Sequence, residues 1–594
     1  MTVAFDVVPA GPVAAVSGVL RAGWRARLRW HAAVLLLAMA GVGAFIGVHS
    51  TFTDDSTNVI LQAEALAHGH WAIPDPFPQV DPHHQDFAAE NVGYTAAGFA
   101  PLAKHLTYTI LIAPVVGLFG SGGLMALSML GTVLAALCSA RLARLYAPGH
   151  ERTVFWATAV ASPLFFYGFV YTGQTVGAAA VAVAMVAGLA YLRTGRLVAL
   201  LGAGLAMGVG VAAREESMIW CGAACLASPL LIRRRGRRTG HPLPRVGLLV
   251  VSLAGGGFLA RASDLILAHR LLASSQPVSQ QASALLGGNT VANQFRGFFI
   301  AAAGPGQGFD PFSQTRHGVL AVTVAGLALT AVAARMLRNR EPAIILSVAA
   351  GGAAALFPIR TLLEPTSPVA GLLPAFPLLW AGLWLMGRAE IRSPEARWAL
   401  GAGVIFAAGV AASVYSDGGG LQWGGRYFGV GLPVVLPLVV AAIGRHGAAV
   451  SGRARQILAV CLVAATAATG WQTLATLTTY HRAGSGAMAE LAAAAPLATP
   501  GDHGKPVVVS TSDALGTLFA AFPDYRMLRV TDSARLTELG LRLRAAGVNR
   551  IILAGYTTKA DELTLAGTYR VLESIPDLPS TPGWSTAVLI ARAG

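Results

Sequence analysis

The sequence predicts an α-helical polytopic membrane protein of about thirteen crossings, closed by a small extracytoplasmic α/β domain at its C-terminal end. Three observations lead there. Of 594 residues, 54% are hydrophobic and only 12% charged, about half the charge of an ordinary soluble chain. Apolar runs of roughly 18–22 residues recur along the chain, the length a helix needs to cross a bilayer. After about residue 480 the pattern changes to short β-branched runs alternating with one amphipathic helix.

The net charge of +15 does not point to nucleic acid. Arginines fall in short clusters between apolar runs, such as Arg21/Arg25/Arg27/Arg29, Arg141/Arg144/Arg152, Arg233 to Arg238 and Arg445/Arg453/Arg455. That is the positive-inside pattern, which sets orientation in a bilayer. Taking these clusters as cytoplasmic predicts crossings near 30–50, 123–145, 153–170, 175–193, 197–213, 216–232 and 245–265. Further ones follow near 317–337, 342–359, 369–387, 399–415, 428–444 and 456–478. The first run, preceded by thirty mixed residues, reads as a retained anchor. Residues 104–120 read as an interfacial or re-entrant segment, because a crossing there would invert every later arginine cluster. The organisation is thus a cytoplasmic tail (1–29), a membrane domain (30–480) with long external stretches 51–103 and 266–316, and an external α/β domain (481–594).

In the tail, Pro506 to Thr511, Arg550 to Gly555, Tyr569 to Ser574 and Ser585 to Ile590 read as strands. Ser533 to Ala546 reads as a helix with Leu536, Leu539 and Leu543 on one face. It carries no Gly-x-Gly-x-x-Gly fingerprint, so nothing marks a nucleotide site; a lid or acceptor platform is the expected role. The four cysteines, Cys138, Cys221, Cys225 and Cys461, all lie in apolar runs and read as core residues.

Chemistry is expected at the membrane edge. Asp54 and Asp55 follow the first crossing and precede the helix-like stretch 56–68. One acid can cap that helix, which leaves the other available as a general base. Lys104 is one of three lysines, with Lys505 and Lys559, in a chain that otherwise uses arginine at interfaces. Arg214-Glu215-Glu216 sits between two crossings: Arg214 could bind phosphate with a glutamate orienting it, or form a self-contained ion pair at a tight turn. Trp423-Gly424-Gly425-Arg426-Tyr427 ends the loop before a late crossing and could cradle a phosphate or sugar face, or anchor an aromatic belt. His83-His84 with Asp81, Asp86 and Glu90 could be drawn as a metal site. The irregular spacing in a Pro-rich loop favours a solvated loop instead, so no metal or other cofactor is expected.

The run Asp54-Asp55-x(8)-Glu64-Ala65-Leu66-x2-Gly69-x-Trp71-x2-Pro74 resembles the first external loop of polyprenyl-phosphate-sugar-dependent glycosyltransferases of the GT-C superfamily. The aminoarabinose transferases and protein O-mannosyltransferases are the members it resembles, the spacing from acid to Gly, Trp and Pro looks the same as in the aminoarabinose transferases, and the Ala-, Gly- and Arg-rich composition suits an actinobacterial type. The resemblance implies Asp54 as catalytic base and Asp55 as cap. It implies Lys104 and His105, with Arg214 and Arg426, at the donor phosphate, and Trp71, Trp423 and Tyr427 at the substrate. One departure stands out: where several members carry a second acid after the third crossing, this chain has Gln174. The implied activity is inverting transfer of a sugar from a polyprenyl-phosphate donor to a cell-envelope glycan, glycolipid or protein at the outer face of a bacterial plasma membrane. A lipid-linked saccharide transporter and a non-catalytic assembly scaffold are the alternatives; the first would be expected to show internal repeats, and none is evident.

Overall fold

The computed structural model describes residues 13–47, 51–71, 73, 77–82, 86–88, 93–95, 98–100, 106–232, 240–271, 291–303, 371–413, 423–448, 452–498, 504–575 and 584–592. Among the described residues, six helices are long and apolar enough to cross a membrane: Leu28–Ile46, Leu106–Tyr146, Gln174–Thr194, Leu243–Arg270, Pro394–Ser413 and Arg426–His446. Leu197–Ala213 and Glu216–Leu231 are shorter apolar helices. The expected crossings 317–337 and 342–359 lie outside the described residues, as does much of 266–316.

Helix α1 (Val13–Ile46) leads to α2 (Asp54–Ala67), which lies beside the first part of α3 (Leu106–Tyr146). Within α3 the helix breaks at Gly120 (φ 61°). Residues 106–119 therefore form a separate piece, and Gly117 packs on Ala67 of α2. Asp264 accepts a 2.8 Å hydrogen bond from the Thr107 N–H and so caps this piece. Helix α4 (Glu151–Trp156) continues as a π-turn, Ala157–Ala161, and is broken by Ser162-Pro163 before the single turn α5 (Leu164–Tyr167). Helices α6 (Gln174–Thr194), α7 (Leu197–Ala213), α8 (Glu216–Ala227) and α9 (Leu243–Leu271) complete the first half.

Small residues let two of these helices meet backbone to backbone, the usual device where lipid removes the hydrophobic drive between helices. A Cβ added at Gly256 of α9 would run into the Gly204 carbonyl of α7, and one at Gly204 would sit 2.7 Å from the Ser252 carbonyl. Gly256→Leu is therefore expected to destabilise the fold by about 1–3 kcal/mol or more, the range for overpacking, read as a lower unfolding temperature in detergent. Gly255→Ala, with nothing within 4 Å of the added carbon, should leave it unchanged.

The second half contains α10 (Val291–Ala303), the broken pair α11 (Leu372–Ala375) and α12 (Pro377–Leu385), α13 (Pro394–Ser413) and α14 (Leu432–Ala448). One end of the bundle carries its charge in ion pairs, Arg193–Glu395 at 3.1 Å and Arg445–Glu390 at 2.7 Å, with His241 3.5 Å from Glu395. Helix α15 (Gly452–Ala498) is 47 residues long and passes without interruption from the last apolar run into the tail.

The tail is a five-stranded sheet in the order β4-β3-β5-β7-β6, comprising β3 (Val507–Ser510), β4 (Arg526–Arg529), β5 (Arg550–Gly555), β6 (Tyr569–Ile575) and β7 (Ser585–Ala591). Strands β4, β3 and β5 run parallel, while β7 and β6 add antiparallel. Helices α16 (Ser533–Ala545) and α17 (Thr558–Leu565) complete it. A short hairpin, β1 (Gly93–Thr95) and β2 (Gly98–Ala100), lies in the first external stretch.

The expectation of a solvated loop around Asp81 and Asp86 is corrected here. Asp86 is fully buried and binds Arg535 at 2.9 Å and Arg542 at 2.7 Å, both on α16. Its N–H donates to Asp81, and its carbonyl accepts from the Arg529 N–H. Phe77 and Val80 sit in the core of the α/β domain beside Val509 and Leu539. This part of the loop is spent on docking the tail, which accounts for its two buried aspartates.

Candidate active site

At the end of the bundle that faces the tail, several chain breaks converge. Helix α7 ends where Arg214 takes an extended conformation (φ −152°, ψ 130°), and α8 starts two residues on. Arg214 grips Glu216 through two bonds, Nε at 2.9 Å and Nη2 at 2.6 Å. The two side chains retain only 12% and 6% exposure. Both sequence readings of this turn are thus present in one object, an ion pair that lies in a functional neighbourhood. Arg426 lies within electrostatic reach of Glu216, and both arginines lie within reach of Tyr167 and Tyr427. Tyr108, on the first piece of α3, lies within electrostatic reach of Arg214.

Arg426 is positioned by what precedes it. Gly424 and Gly425 both have φ 59°, a left-handed conformation costly to any residue with a Cβ. The Tyr167 hydroxyl donates to the Trp423 carbonyl at 2.6 Å and accepts from its N–H at 3.2 Å. Phe166 stacks on the Trp423 ring at 4.9 Å and 11°. Pinned at Trp423 and turned sharply over two glycines, the chain delivers Arg426 into the cluster, its guanidinium 5.2 Å from the Tyr427 ring centre.

The same aromatic row reaches the acid pair. Phe166 meets Phe52 edge-on at 4.9 Å, and Phe52 meets Tyr480 of α15 at 4.7 Å. Two residues after Phe52, α2 begins with Asp54 and Asp55 as its first helical residues. The cap position falls at Thr53, whose backbone is extended (φ −145°, ψ 154°), so the expectation that Asp55 caps the helix is corrected: the helix starts one residue before it. Both acids stand in the first turn, where the helix dipole favours negative charge. Thr51 is buried and ties this start to the tail, its N–H and hydroxyl both donating to the Thr517 carbonyl at 3.0 and 3.2 Å. Phe519 of the tail meets Tyr171 at 5.8 Å. The tail therefore covers the convergence point.

Of the sequence-predicted residues, Arg214, Arg426, Trp423 and Tyr427 come together, with the backbone of Asp54 and Asp55 leading into the same aromatic row. Lys104 and His105 lie outside the described residues, although Tyr108, four residues on, reaches Arg214. Trp71 is not brought to the cluster. It is half-exposed beyond the end of α2, where the chain folds back and Gln62 holds its carbonyl at 3.0 Å, about 12 Å of helix from Asp54 at 1.5 Å per residue. Near it, burial raises the Glu64 carboxyl above its ordinary range, offset in part by His68. Of His83, His84, Asp81, Asp86 and Glu90, only the two aspartates are described. Among the described residues no three metal-ligating side chains gather. Sequence reasoning missed Tyr108 and Tyr167, because a tyrosine in an apolar run carries no sign of what its hydroxyl will meet.

Fold and site define a polytopic helical membrane protein with a cationic, aromatic-walled site at one end of the bundle, capped by an α/β domain. The apo structure of ArnT from Cupriavidus metallidurans superposes with a TM-score of 0.50 at 11% identity, covering 96% of this chain and 98% of that one. The same protein bound to undecaprenyl phosphate gives 0.46 at 12%, over 95% and 98%. The archaeal oligosaccharyltransferase AglB from Archaeoglobus fulgidus, in complex with an inhibitory peptide and a dolichol-phosphate, gives 0.40 at 10%, over 89% and 70%. At such identity the likeness to apo ArnT is one of fold alone: this chain shares the fold of that protein. No protein-family model matches the chain, and no curated protein matches its sequence.

Proposed function

We propose that this protein is a membrane glycosyltransferase that moves a sugar from a polyprenyl-phosphate donor to a cell-envelope acceptor. The observation that carries the reading is the meeting of Arg214 and Arg426 with Glu216, Trp423 and Tyr427, inside the fold shared with apo ArnT and beneath the start of α2. Two guanidinium groups in one half-buried site match a phosphate in charge and in planar donor geometry. Aromatic rings beside them suit a sugar face.

The reaction is a single displacement with inversion. An acceptor hydroxyl oxygen forms a bond to the anomeric carbon as the bond from that carbon to the phosphate oxygen breaks. The polyprenyl phosphate leaves with the electron pair, and Arg214 and Arg426, with Lys104 and His105, stabilise its charge. Asp54 takes the acceptor's proton. The leaving group needs no general acid and the arginines supply the countercharge, so the scheme requires no metal. Tyr427 contacts the substrates, and Trp423, buried against Phe166, holds the turn that carries it. The chain crosses the membrane thirteen times from a cytoplasmic 1–29 through 30–480, and places 481–594 and the reaction outside the plasma membrane. The acceptor is a glycan, glycolipid or protein.

The test is transfer from polyprenyl-phosphate-linked sugars by the purified protein in nanodiscs. Asp54→Asn is expected to fold normally and to lose about 10²–10⁴-fold in rate, the usual worth of a general base. Unchanged transfer would remove Asp54 from that role. Comparing the envelope glycans of a deletion strain with its parent names the acceptor and the sugar.

A further inference from the structure

The aromatic row that passes the acid pair continues into the tail. Tyr480 of α15, which meets Phe52, lies within electrostatic reach of Tyr556. Tyr556 in turn meets Trp584 edge-on at 5.6 Å. Phe52 and Trp584 are buried, whereas Tyr556 is 55% exposed. A lone exposed aromatic needs no explanation, but this one is held from every side. Before it, Gly555 (φ 145°) lies so close to the end of β3 that an added Cβ would sit 2.8 Å from the Ser510 hydroxyl and from Ser512. After it, the Thr511 and Thr557 hydroxyls donate to Asp561 at 2.8 and 3.0 Å, and the Thr558 hydroxyl donates to the Ser585 carbonyl at 2.8 Å. Behind it, the Trp584 indole N–H donates to Thr586, whose hydroxyl donates to Glu490 of α15 at 2.8 Å. A ring fixed in advance loses little freedom when a ligand arrives.

Tyr556 also stands where open α/β sheets bind ligands. From β3 the chain moves to β4 on one side, and from β5 it moves to β6 and β7 on the other. The carboxyl ends of β3 and β5 therefore flank the switch point of the sheet. That end faces the membrane domain, because β3 runs into the turns that carry Thr517 to Thr51 and Phe519 to Tyr171. The rim is made of hydroxyls, from Ser510, Thr511, Ser512 and Thr557. Burial alone raises the Tyr556 hydroxyl above its ordinary range, so among the described residues no charged group bears on it. Lys559 and Glu562, on α17, act on one another, and Asp561 is taken up by the threonines. An aromatic face in a neutral, hydroxyl-rich rim suits a sugar ring, which offers C–H groups on its face and hydroxyls at its edge. We propose that this edge of the tail is the acceptor subsite and that its ligand is a glycan chain. One sugar unit stacks on Tyr556 while a neighbouring unit presents its hydroxyl on the Asp54 side of Tyr480. The proposal rests on the transferase reading above and chooses the glycan among its acceptors.

The experiment measures binding of fluorescently end-labelled sugars to the purified protein in nanodiscs. The probes are monosaccharide and longer oligosaccharide fractions released from the envelope of the deletion strain, with fluorescent bare polyprenyl phosphate as the donor-side control. The wild type is expected to bind the longer fraction about tenfold more tightly than the monosaccharides, the worth of one aromatic anchor. Tyr556→Ala and Tyr556→Leu should both lose that advantage, Tyr556→Phe should keep it, and all three should bind bare polyprenyl phosphate like the wild type. An advantage kept by Tyr556→Leu but lost by Tyr556→Ala marks a lipid-facing anchor and overturns the subsite. Unchanged glycan binding in Tyr556→Ala overturns it too, as does a wild type that binds bare polyprenyl phosphate and no glycan fraction. Each of those results leaves the donor reading standing. Failure of the wild type to bind bare polyprenyl phosphate overturns the donor reading itself.

Discussion

Gly425→Ala is expected to lower transfer by about a hundredfold or more while the membrane bundle still assembles. The left-handed conformation alone costs a residue with a Cβ about 1–2 kcal/mol. The added carbon would also collide with the Ala301 carbonyl of α10 and press within 3.0 Å of Leu372. Neither neighbour is the free end of a flexible chain, so the backbone must shift, and the next residue along is Arg426. A displacement near 1 Å at a charge-bearing group costs on the order of 10²-fold in rate. Gly429→Ala is the control in the same segment: its added carbon meets only Leu164 at 3.9 Å, and it should behave as wild type. Equal activity in the two variants would show that the glycine turn does not govern Arg426.

Arg214→Ala should show the largest loss of stability at the site. It leaves the Glu216 carboxylate buried without its bidentate partner, and breaking a buried pair from one side costs about 3–5 kcal/mol. Thermal unfolding in detergent reads that loss directly. Removing both partners, as Arg214→Ala with Glu216→Ala, takes away the stranded charge and should recover most of the stability. It should not recover donor binding, because the guanidinium is gone. If the double variant bound polyprenyl phosphate like the wild type, the pair would be structural only.

Much of the architecture was legible because lipid demands long apolar runs, and helices such as α6, α7 and α13 lie where hydropathy places them. Arg214 and Arg426 were legible for the converse reason, since charge inside such runs is costly and stands out. Their meeting was not legible: they are 212 positions apart, and neither pattern nor spacing links the α7–α8 turn to the glycine turn. The same limit hid the partners of Asp86, which lie on α16 some 450 residues downstream. Strand β4 escaped notice because Arg526-Met-Leu-Arg529 is short and half basic, yet the sheet supplies the pairing that its sequence does not advertise. The start of α2 was misplaced by a local ambiguity, as Thr53, Asp54 and Asp55 are all competent caps and only tertiary contacts from Thr51 and Phe52 decide among them.

The insertion of Phe77 and Val80 into the core of the terminal α/β domain has a consequence for how the chain is made. The first external stretch is synthesised early, but its apolar anchors and the Asp86 carboxylate have no home until β3 and α16 arrive. Closing that contact spans nearly the whole chain, the kind of distant pairing that is slow to form. Until then the helices can insert and pack while the site stands uncovered. Closure of the cap onto its loop can therefore come only after α16 has been made, and it couples a usable site to a helix some 450 residues beyond that loop.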